Sequence, residues 1–327
     1  MKIVFIFGGS GYIATNLINC FLKENIFDKV IVCDIKKTEI KNPKVEFYNI
    51  DVRKPININI VNTNIDKEKS WIFNFAAIHR EPGHEPHEYY ETNILGAENV
   101  CEFAEKIGIN NIFFTSSIAP YGQSLEQKTE KSLLEPVTPY GISKAIAEKI
   151  HMIWQAKEKN RRLIICRPAV IYGPKDPGNI LRMIKAIKKN MFFIPGKPNI
   201  IKAYGYIYGL VDSIIFTMNK KNENIIIYNY AECPLLNLKE MVNVVLKFLN
   251  IKRFIPVVPM FLLLPVSKII QLLSLNKLKD FHPVRVKKAG FPTNIKPEYL
   301  ITNNFEFKYD FETSLKDWKN KSPEDFN

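Results

Sequence analysis

No Cys-x-x-Cys pair occurs in the 327 residues, and Cys20, Cys33, Cys101, Cys166 and Cys233 stand far apart. Odd in number and scattered, they speak against a zinc site and a disulfide framework, and they fit a reducing, cytoplasmic compartment. Internal repeats, low-complexity linkers, dense Lys/Arg blocks and nucleic-acid motifs are also missing, so nucleic acid is not an expected partner. Acidic residues are in short supply: 33 Asp+Glu against 46 Lys+Arg leaves +13. That excess suits a phosphorylated small molecule or an acidic membrane surface, and equally a Lys-rich solvated exterior. No apolar stretch reaches the about 20 uninterrupted residues a bilayer span needs. The longest, Phe254–Leu275, is broken by Pro256, Pro259 and Pro265 and carries Lys268 and Gln271. It suits an amphipathic helix that lines a pocket or makes peripheral contact with a membrane. The N-terminal run Ile3–Phe7 is too short for a signal peptide and ends in glycines, which makes it a buried strand.

With 46% hydrophobic and 24% charged residues, the chain can form a large core. Short β-branched runs recur at Ile3–Phe7, Lys29–Cys33, Val45–Asn49, Trp71–Ala76, Asn111–Ser116 and Arg162–Cys166. Helical spacing fills Ala14–Lys23, Glu88–Lys106 and Tyr140–Lys157 between them. Alternating strand and helix predicts an α/β fold with a doubly wound parallel sheet. Past Gly173-Pro174 the rhythm changes: Ile180–Lys189, Tyr206–Met218 and Leu238–Leu249 read as helices and Ile225–Tyr228 as a strand. The expected division is a dinucleotide-binding Rossmann domain at 1–174, rejoined by 203–232. A smaller, mostly helical substrate-binding region would comprise 175–202 and 233–327.

Gly8, Gly9 and Gly11 follow the first strand and open the first helix, with Tyr12, Ile13 and the small Ala14 next. A pyrophosphate needs bare backbone N–H groups at a helix N-terminus, and this turn supplies them. Strand-to-helix turns also use glycine for conformation alone. The second strand, however, ends in Asp34, 20 residues after Ala14, where a carboxylate can accept both ribose hydroxyls of NAD. Asp34 would repel the 2′-phosphate of NADP, a preference that Lys36 and Lys37 soften.

Tyr140 and Lys144 lie four residues apart on one helix face. A phenol of pKa about 10 is a poor base at neutral pH. A neighbouring ammonium would favour phenolate and bring it into the range for acid–base work. On spacing alone such a pair is an ordinary helix surface. Thr115-Ser116-Ser117-Ile118-Ala119-Pro120-Tyr121-Gly122 and Arg167-Pro168-Ala169-Val170-Ile171-Tyr172-Gly173-Pro174 follow later strands, at the ends where open α/β sheets hold ligands.

Together these segments resemble the extended short-chain dehydrogenases/reductases, the group of NAD-dependent nucleotide-sugar epimerases, dehydratases and reductases. The resemblance spans nearly the whole chain: the glycine turn, Asp34, Asp51-Val52-Arg53, Phe75-Ala76-Ala77, Asn93-Ile94-Leu95-Gly96, Ser117, Tyr140 with Lys144, and Arg167-Pro168. It implies Tyr140 as acid/base, Ser117 as hydrogen-bond partner of the substrate oxygen, and Lys144 on the nicotinamide ribose. Asp51 and Val52 would flank the adenine, Ala76 and Ala77 would touch the cofactor, and Asn93 and Pro168 would support its site. A homodimer through Glu88–Lys106 and Tyr140–Lys157 is also implied.

Departures from the family pattern bear on the substrate. Ile118 and Ala119 replace the acidic pair of the 4,6-dehydratases, which speaks against dehydration. Val170 stands where many nucleotide-sugar enzymes have Asn, Lys202 where they have a diphosphate-binding Arg, and Tyr208 where they have Asp. The Pro-bounded loop with His79, Arg80, His84 and His87 is expected to border the substrate pocket through His79 and Arg80, or to be simply solvated; no metal is expected there. The expected activity is hydride transfer on a nucleotide-activated or lipid-linked sugar in surface polysaccharide synthesis, as an epimerase or a ketoreductase. A 3β-hydroxysteroid dehydrogenase-like enzyme on an apolar alcohol is the alternative, and a non-catalytic NAD-binding protein another.

Overall fold

The computed structural model describes residues 1–58, 64–81, 83–273 and 283–327. Pro82 of the histidine loop, and Ser274 and Leu275 at the end of the long apolar stretch, lie outside them. The first half alternates as expected: β1 (Ile3–Phe7), α1 (Tyr12–Lys23), β2 (Lys29–Asp34), β3 (Val45–Asn49), β4 (Trp71–Asn74), α2 (Pro86–Tyr90), α3 (Gly96–Ile107), β5 (Asn111–Thr115), α4 (Pro139–Ala156) and β6 (Arg162–Pro168). Then follow β7 (Val170–Tyr172), α5 (Asn179–Lys188), β8 (Ile194–Pro195), β9 (Tyr204–Tyr206), α6 (Ile207–Met218), β10 (Ile225–Tyr230) and α7 (Leu238–Phe248). The remainder is β11 (Val257–Val258), α8 (Met260–Leu273), α9 (Pro283–Ala289), α10 (Glu298–Thr302) and α11 (Phe311–Lys321).

Seven strands form one parallel sheet in the order β10-β6-β5-β4-β1-β2-β3. β1 and most of β2, β4, β5 and β6 are buried to their ends, because helices cover both faces. Two apolar layers result. One packs α1, α5 and α6 with Phe73 and Phe113 on one face, and the other packs α3 and α4 with Phe5, Phe7 and Phe114 on the opposite face. The chain reverses direction across the sheet between β1 and β4. A crevice therefore opens at the carboxyl ends of these strands, where loops from both halves diverge.

Two expectations need correction. Glu88–Lys106 is not one α-helix, because a π-turn at Glu91–Leu95 separates α2 from α3. Tyr206 closes a strand rather than opening a helix, since the aromatic triplet Tyr204–Tyr206 pairs in register with Val170–Tyr172. Among the described residues, no helix is long and apolar enough to cross a membrane.

Candidate active site

The turn after β1 brings backbone against backbone. Gly8 has φ +71°, and a Cβ there would lie 2.6 Å from the amide nitrogen of Ala76, so no side chain fits. Gly11 opens α1 without any side-chain cap, which leaves the first amides, from Tyr12 and Ile13 onward, turned to the crevice. Asp34 stands beside them. Its Oδ2 accepts the Ser10 amide at 3.0 Å and its Oδ1 the Lys36 amide at 2.9 Å. Both oxygens keep a lone pair that a ribose hydroxyl could use. A bare glycine cradle, an uncapped helix start and an oriented carboxylate fit a dinucleotide.

Other candidates border this cleft in different ways. Asp51 is clasped by Arg53 (Nη2–Oδ2 2.7 Å), whose hydrogen bond and charge hold the carboxyl below its usual range. Val52 is buried, and its carbonyl accepts the Asn99 side chain at 2.7 Å. Ala76 and Ala77 follow β4 directly, half-buried. The Tyr12 hydroxyl is buried without a hydrogen-bond partner among the described residues. Pro168 ends β6, and its carbonyl accepts the Ile118 amide at 3.2 Å.

α4 delivers the chemistry. Thr138 caps it, accepting the Gly141 amide at 3.2 Å, and Pro139 supplies the preset first helical residue. Gly141 lets the helix press on the segment after β5, because a Cβ there would come within 2.9 Å of the Ala119 carbonyl. The Ser117 hydroxyl, on that segment, is the neighbouring side chain that favours the ionised Tyr140 phenol. Burial pushes this phenol up to about 12, the Ser117 hydroxyl acts against the rise, and the Glu81 carboxylate adds to it. Among the described groups the downward pull on the phenol comes from Ser117. Lys144, one turn on, is buried over the Phe114 ring at 4.3 Å. Desolvation brings its ammonium down to about 7, partly offset by Glu148.

Asn93, inside the π-turn, ties these parts together. Its carboxamide accepts the Ile78 amide at 2.9 Å, donates to the Ile78 carbonyl at 3.0 Å and donates to Ser143 Oγ at 2.8 Å. The loop after β4 is thereby held against α4 beside Tyr140.

The expected substrate contacts separate. His79 and Arg80 are exposed on the loop after β4. His79 is nonetheless crowded by the chain around it, and that desolvation, with the charges of Arg80, Lys144 and His84, lowers its pKa. His84 pairs with Glu88 at 3.4 Å, and no group of three metal-binding side chains gathers among the described residues. Val170 is exposed on β7. Lys202 turns inward: its Nζ donates to the carbonyls of Lys288 (2.6 Å) and Phe291, and burial lowers it to about 8. Tyr208 is half-buried on α6, its ring beneath the Lys321 ammonium at 4.2 Å.

Sequence reasoning missed a buried polar stripe on α4. Glu148 pairs with Arg167 through two contacts, 2.7 and 2.9 Å, and accepts Ser116 Oγ at 2.5 Å. Arg167 also donates to the Tyr121 hydroxyl at 2.8 Å. His151 stacks on the Phe114 face at 4.1 Å, and burial lowers its imidazole to about 4. The signal was the spacing Tyr140, Lys144, Glu148, His151, Gln155, a polar row on the helix face that should meet the sheet.

Residues 4–231 match the model of the NAD dependent epimerase/dehydratase family. The N-acetyl-alpha-D-glucosaminyl-diphospho-ditrans,octacis-undecaprenol 4-epimerase of Escherichia coli O157:H7 is 34% identical over 178 residues, 54% of each chain. The UDP-glucose 4-epimerase of Lactobacillus helveticus is 28% identical over 183 residues, again 54% of each. The matched part thus spans about half the length of these curated relatives. The fold also resembles that of UDP-glucuronic acid 4-epimerase from Bacillus cereus, crystallised with UDP-glucuronic acid and NAD. That likeness has TM-score 0.70, 18% identity and 98% coverage of both chains.

Proposed function

Because the chain belongs to the NAD-dependent epimerase/dehydratase family, we propose that it binds NAD and inverts a sugar carbinol, C4, in a substrate carrying the sugar on a nucleotide or lipid diphosphate. The observation that carries this reading is Tyr140 on α4 with buried Lys144 one turn away, held through Asn93 against the loop after β4 on which Gly8 packs. The 4-epimerase names of both sequence relatives support the position of attack.

Gly8, Gly11 and the amides of Tyr12 and Ile13 would hold the pyrophosphate and Asp34 the adenosine ribose. Asp51, Val52, Ala76, Ala77, Asn93 and Pro168 would shape the rest of the cofactor site. When bound, the dinucleotide supplies reversible acceptance of a hydride from the carbinol carbon. Tyr140 takes the proton from the hydroxyl on that carbon and returns it after the sugar has presented its other face. Ser117 holds the oxygen throughout. Hydride and proton leave and come back, so the sugar is neither oxidised nor reduced overall. A ligand cation near Lys144 and Tyr140 would move the phenol in the direction of use, since positive charge favours phenolate. His79, Arg80 and Val170 would meet the sugar, and inward-facing side chains of 175–202 and 233–327 would form its half of the pocket.

The test is epimerisation of UDP-N-acetylglucosamine and of a polyprenyl-diphosphate N-acetylglucosamine with NAD⁺, followed by NMR. Interconversion without net NADH is expected, and Tyr140→Phe should lose about 10²–10⁴-fold in kcat while still binding NAD. Equal rates in the two proteins would remove Tyr140 from the chemistry.

A further inference from the structure

The most exposed large apolar residues of the molecule include several on one short stretch. On α8, Phe261, Leu262, Val266 and Ile269 are exposed, Phe261 at 72%. With exposed Pro265 they occupy positions i, i+1, i+4, i+5 and i+8, which is one continuous helix face. Phe254, 84% exposed, precedes the helix, and exposed Val284 lies on the neighbouring α9. The other side of α8 is turned inward: Ser267 is buried and bonds the Leu264 carbonyl at 2.8 Å, while Leu263, Leu264 and Ile270 are half-buried. This is a helix with two apolar faces, one of which no described residue covers.

Charge indicates what covers that face. Residues 251–297 contain nine Lys/Arg and one acidic residue, Asp280, so they hold +8 of the chain's +13. Lys268 lies on the border of the exposed face, and Lys252 and Lys287 are exposed on the flanking segments. A second copy of the chain is a poor occupant, because a two-fold contact would bring this cationic surface against itself. An anionic bilayer complements both properties: headgroups for the lysines and acyl chains for the phenylalanines. The 14 described residues of α8 are too few to cross, so this face would lie in the interface plane.

The same segment reaches the candidate active site. Lys288, on α9, pairs with Glu81 Oε2 at 2.6 Å, and Glu81 Oε1 accepts the Tyr140 amide at 3.4 Å. Lys202 holds the segment from beneath through the Lys288 and Phe291 carbonyls. The segment that carries the exposed face is thus two contacts from Tyr140.

We infer that the exposed face of α8, with its rim of Lys252, Lys268 and Lys287, docks the protein on an anionic lipid surface and presents the active site to sugar diphosphates anchored in it. Docking itself stands on the exposed face and its charge; the substrate half rests on the epimerase reading above.

Co-sedimentation of the full chain with phosphatidylglycerol-containing and pure phosphatidylcholine vesicles tests it. Binding is expected to the anionic vesicles at low salt and to fall steeply at about 0.5 M NaCl. Lys268→Gln/Lys287→Gln should weaken it about 30-fold. Phe261→Ser/Leu262→Ser/Ile269→Ser should abolish it, with near-UV circular dichroism and epimerisation of a soluble nucleotide sugar unchanged. The triple variant should also lose activity on a vesicle-embedded polyprenyl-diphosphate sugar. Failure of the wild type to bind anionic vesicles at low salt, or wild-type binding by the triple variant, would overturn docking. Concentration-dependent dimerisation that the triple variant loses, without vesicle binding, would assign the face to a second copy instead. A protein that binds vesicles yet epimerises neither substrate would sink the activity while leaving docking intact.

Discussion

Lys144 and Arg167 are both buried cations in contact with α4, and their surroundings treat them in opposite ways. Arg167 is paired twice with Glu148, bonded to Tyr121 and laid over the Tyr121 ring at 5.1 Å, so its charge is fixed. Lys144 has only the Phe114 face and the field of Glu148, and among the described residues no carboxylate pairs with its ammonium. A fully paired buried ion holds structure in place. One left to desolvation titrates near neutral pH, where a proton can be moved. The two lie close together because Glu148 follows Lys144 by one helical turn and serves Arg167 directly and Lys144 at a distance.

The contrast breaks most severely at the catalytic end. Lys144→Met is expected to cost about 10²–10⁴-fold in kcat, in line with Tyr140→Phe, while leaving the fold intact, as circular dichroism would show. Arg167→Met should act the other way round. It leaves Glu148 buried and charged without its ion-pair partner, costing about 3–5 kcal/mol in urea unfolding. Arg167→Met/Glu148→Leu should recover most of that loss, and no recovery would mean that the pair is not what Arg167 provides.

pH separates the buried groups further. Between about 7 and the ordinary lysine value of 10.5, the unfolded chain holds a proton on Lys144 that the folded chain has shed. Stability therefore gains with rising pH across that window, and Lys144→Met should flatten the gain. Glu232 has the opposite sign. Buried beside the Tyr172 hydroxyl (2.5 Å), it is pushed up to about 8 from 4.5. The folded state keeps its proton after the unfolded state has lost it, so stability drops from about pH 4.5 to 8, and Glu232→Gln should remove the drop. Urea midpoints across pH 5–10 would read both. The smallest effect expected is for Ser117→Ala, roughly tenfold or more in kcat, together with a rise in the Tyr140 pKa once the hydroxyl that lowers it is gone. A pH–rate profile checks it.

The sheet was legible because a strand covered on both faces must be apolar throughout, and Ile3–Phe7 or Asn111–Thr115 can be little else. Spacing placed Tyr140 with Lys144 on one helix face and the glycines at one turn, and only the family resemblance gave the pair a role. Glu148 and His151 were overlooked because a polar residue on a helix looks solvated until its partner, 19 residues away at Arg167 or on another element at Phe114, is known. Lys202 aligned with a diphosphate-binding Arg, and its inward turn escaped notice because the Lys288 and Phe291 carbonyls that hold it lie more than 80 residues further on. The π-turn has no propensity signature, since Glu91–Leu95 is ordinary helical sequence.

That turn acts as a vernier. It winds one more residue into its circuit than the helices it joins, so α2 and α3 run out of phase by about 100°. Asn93 can then look toward Ile78 and Ser143 while the residues after it still face the sheet. Deleting any one residue between 91 and 95 would bring the two helices into step and force a choice between those demands. Either the carboxamide would swing off the Ile78 peptide or Val100 and Phe103 would leave the core.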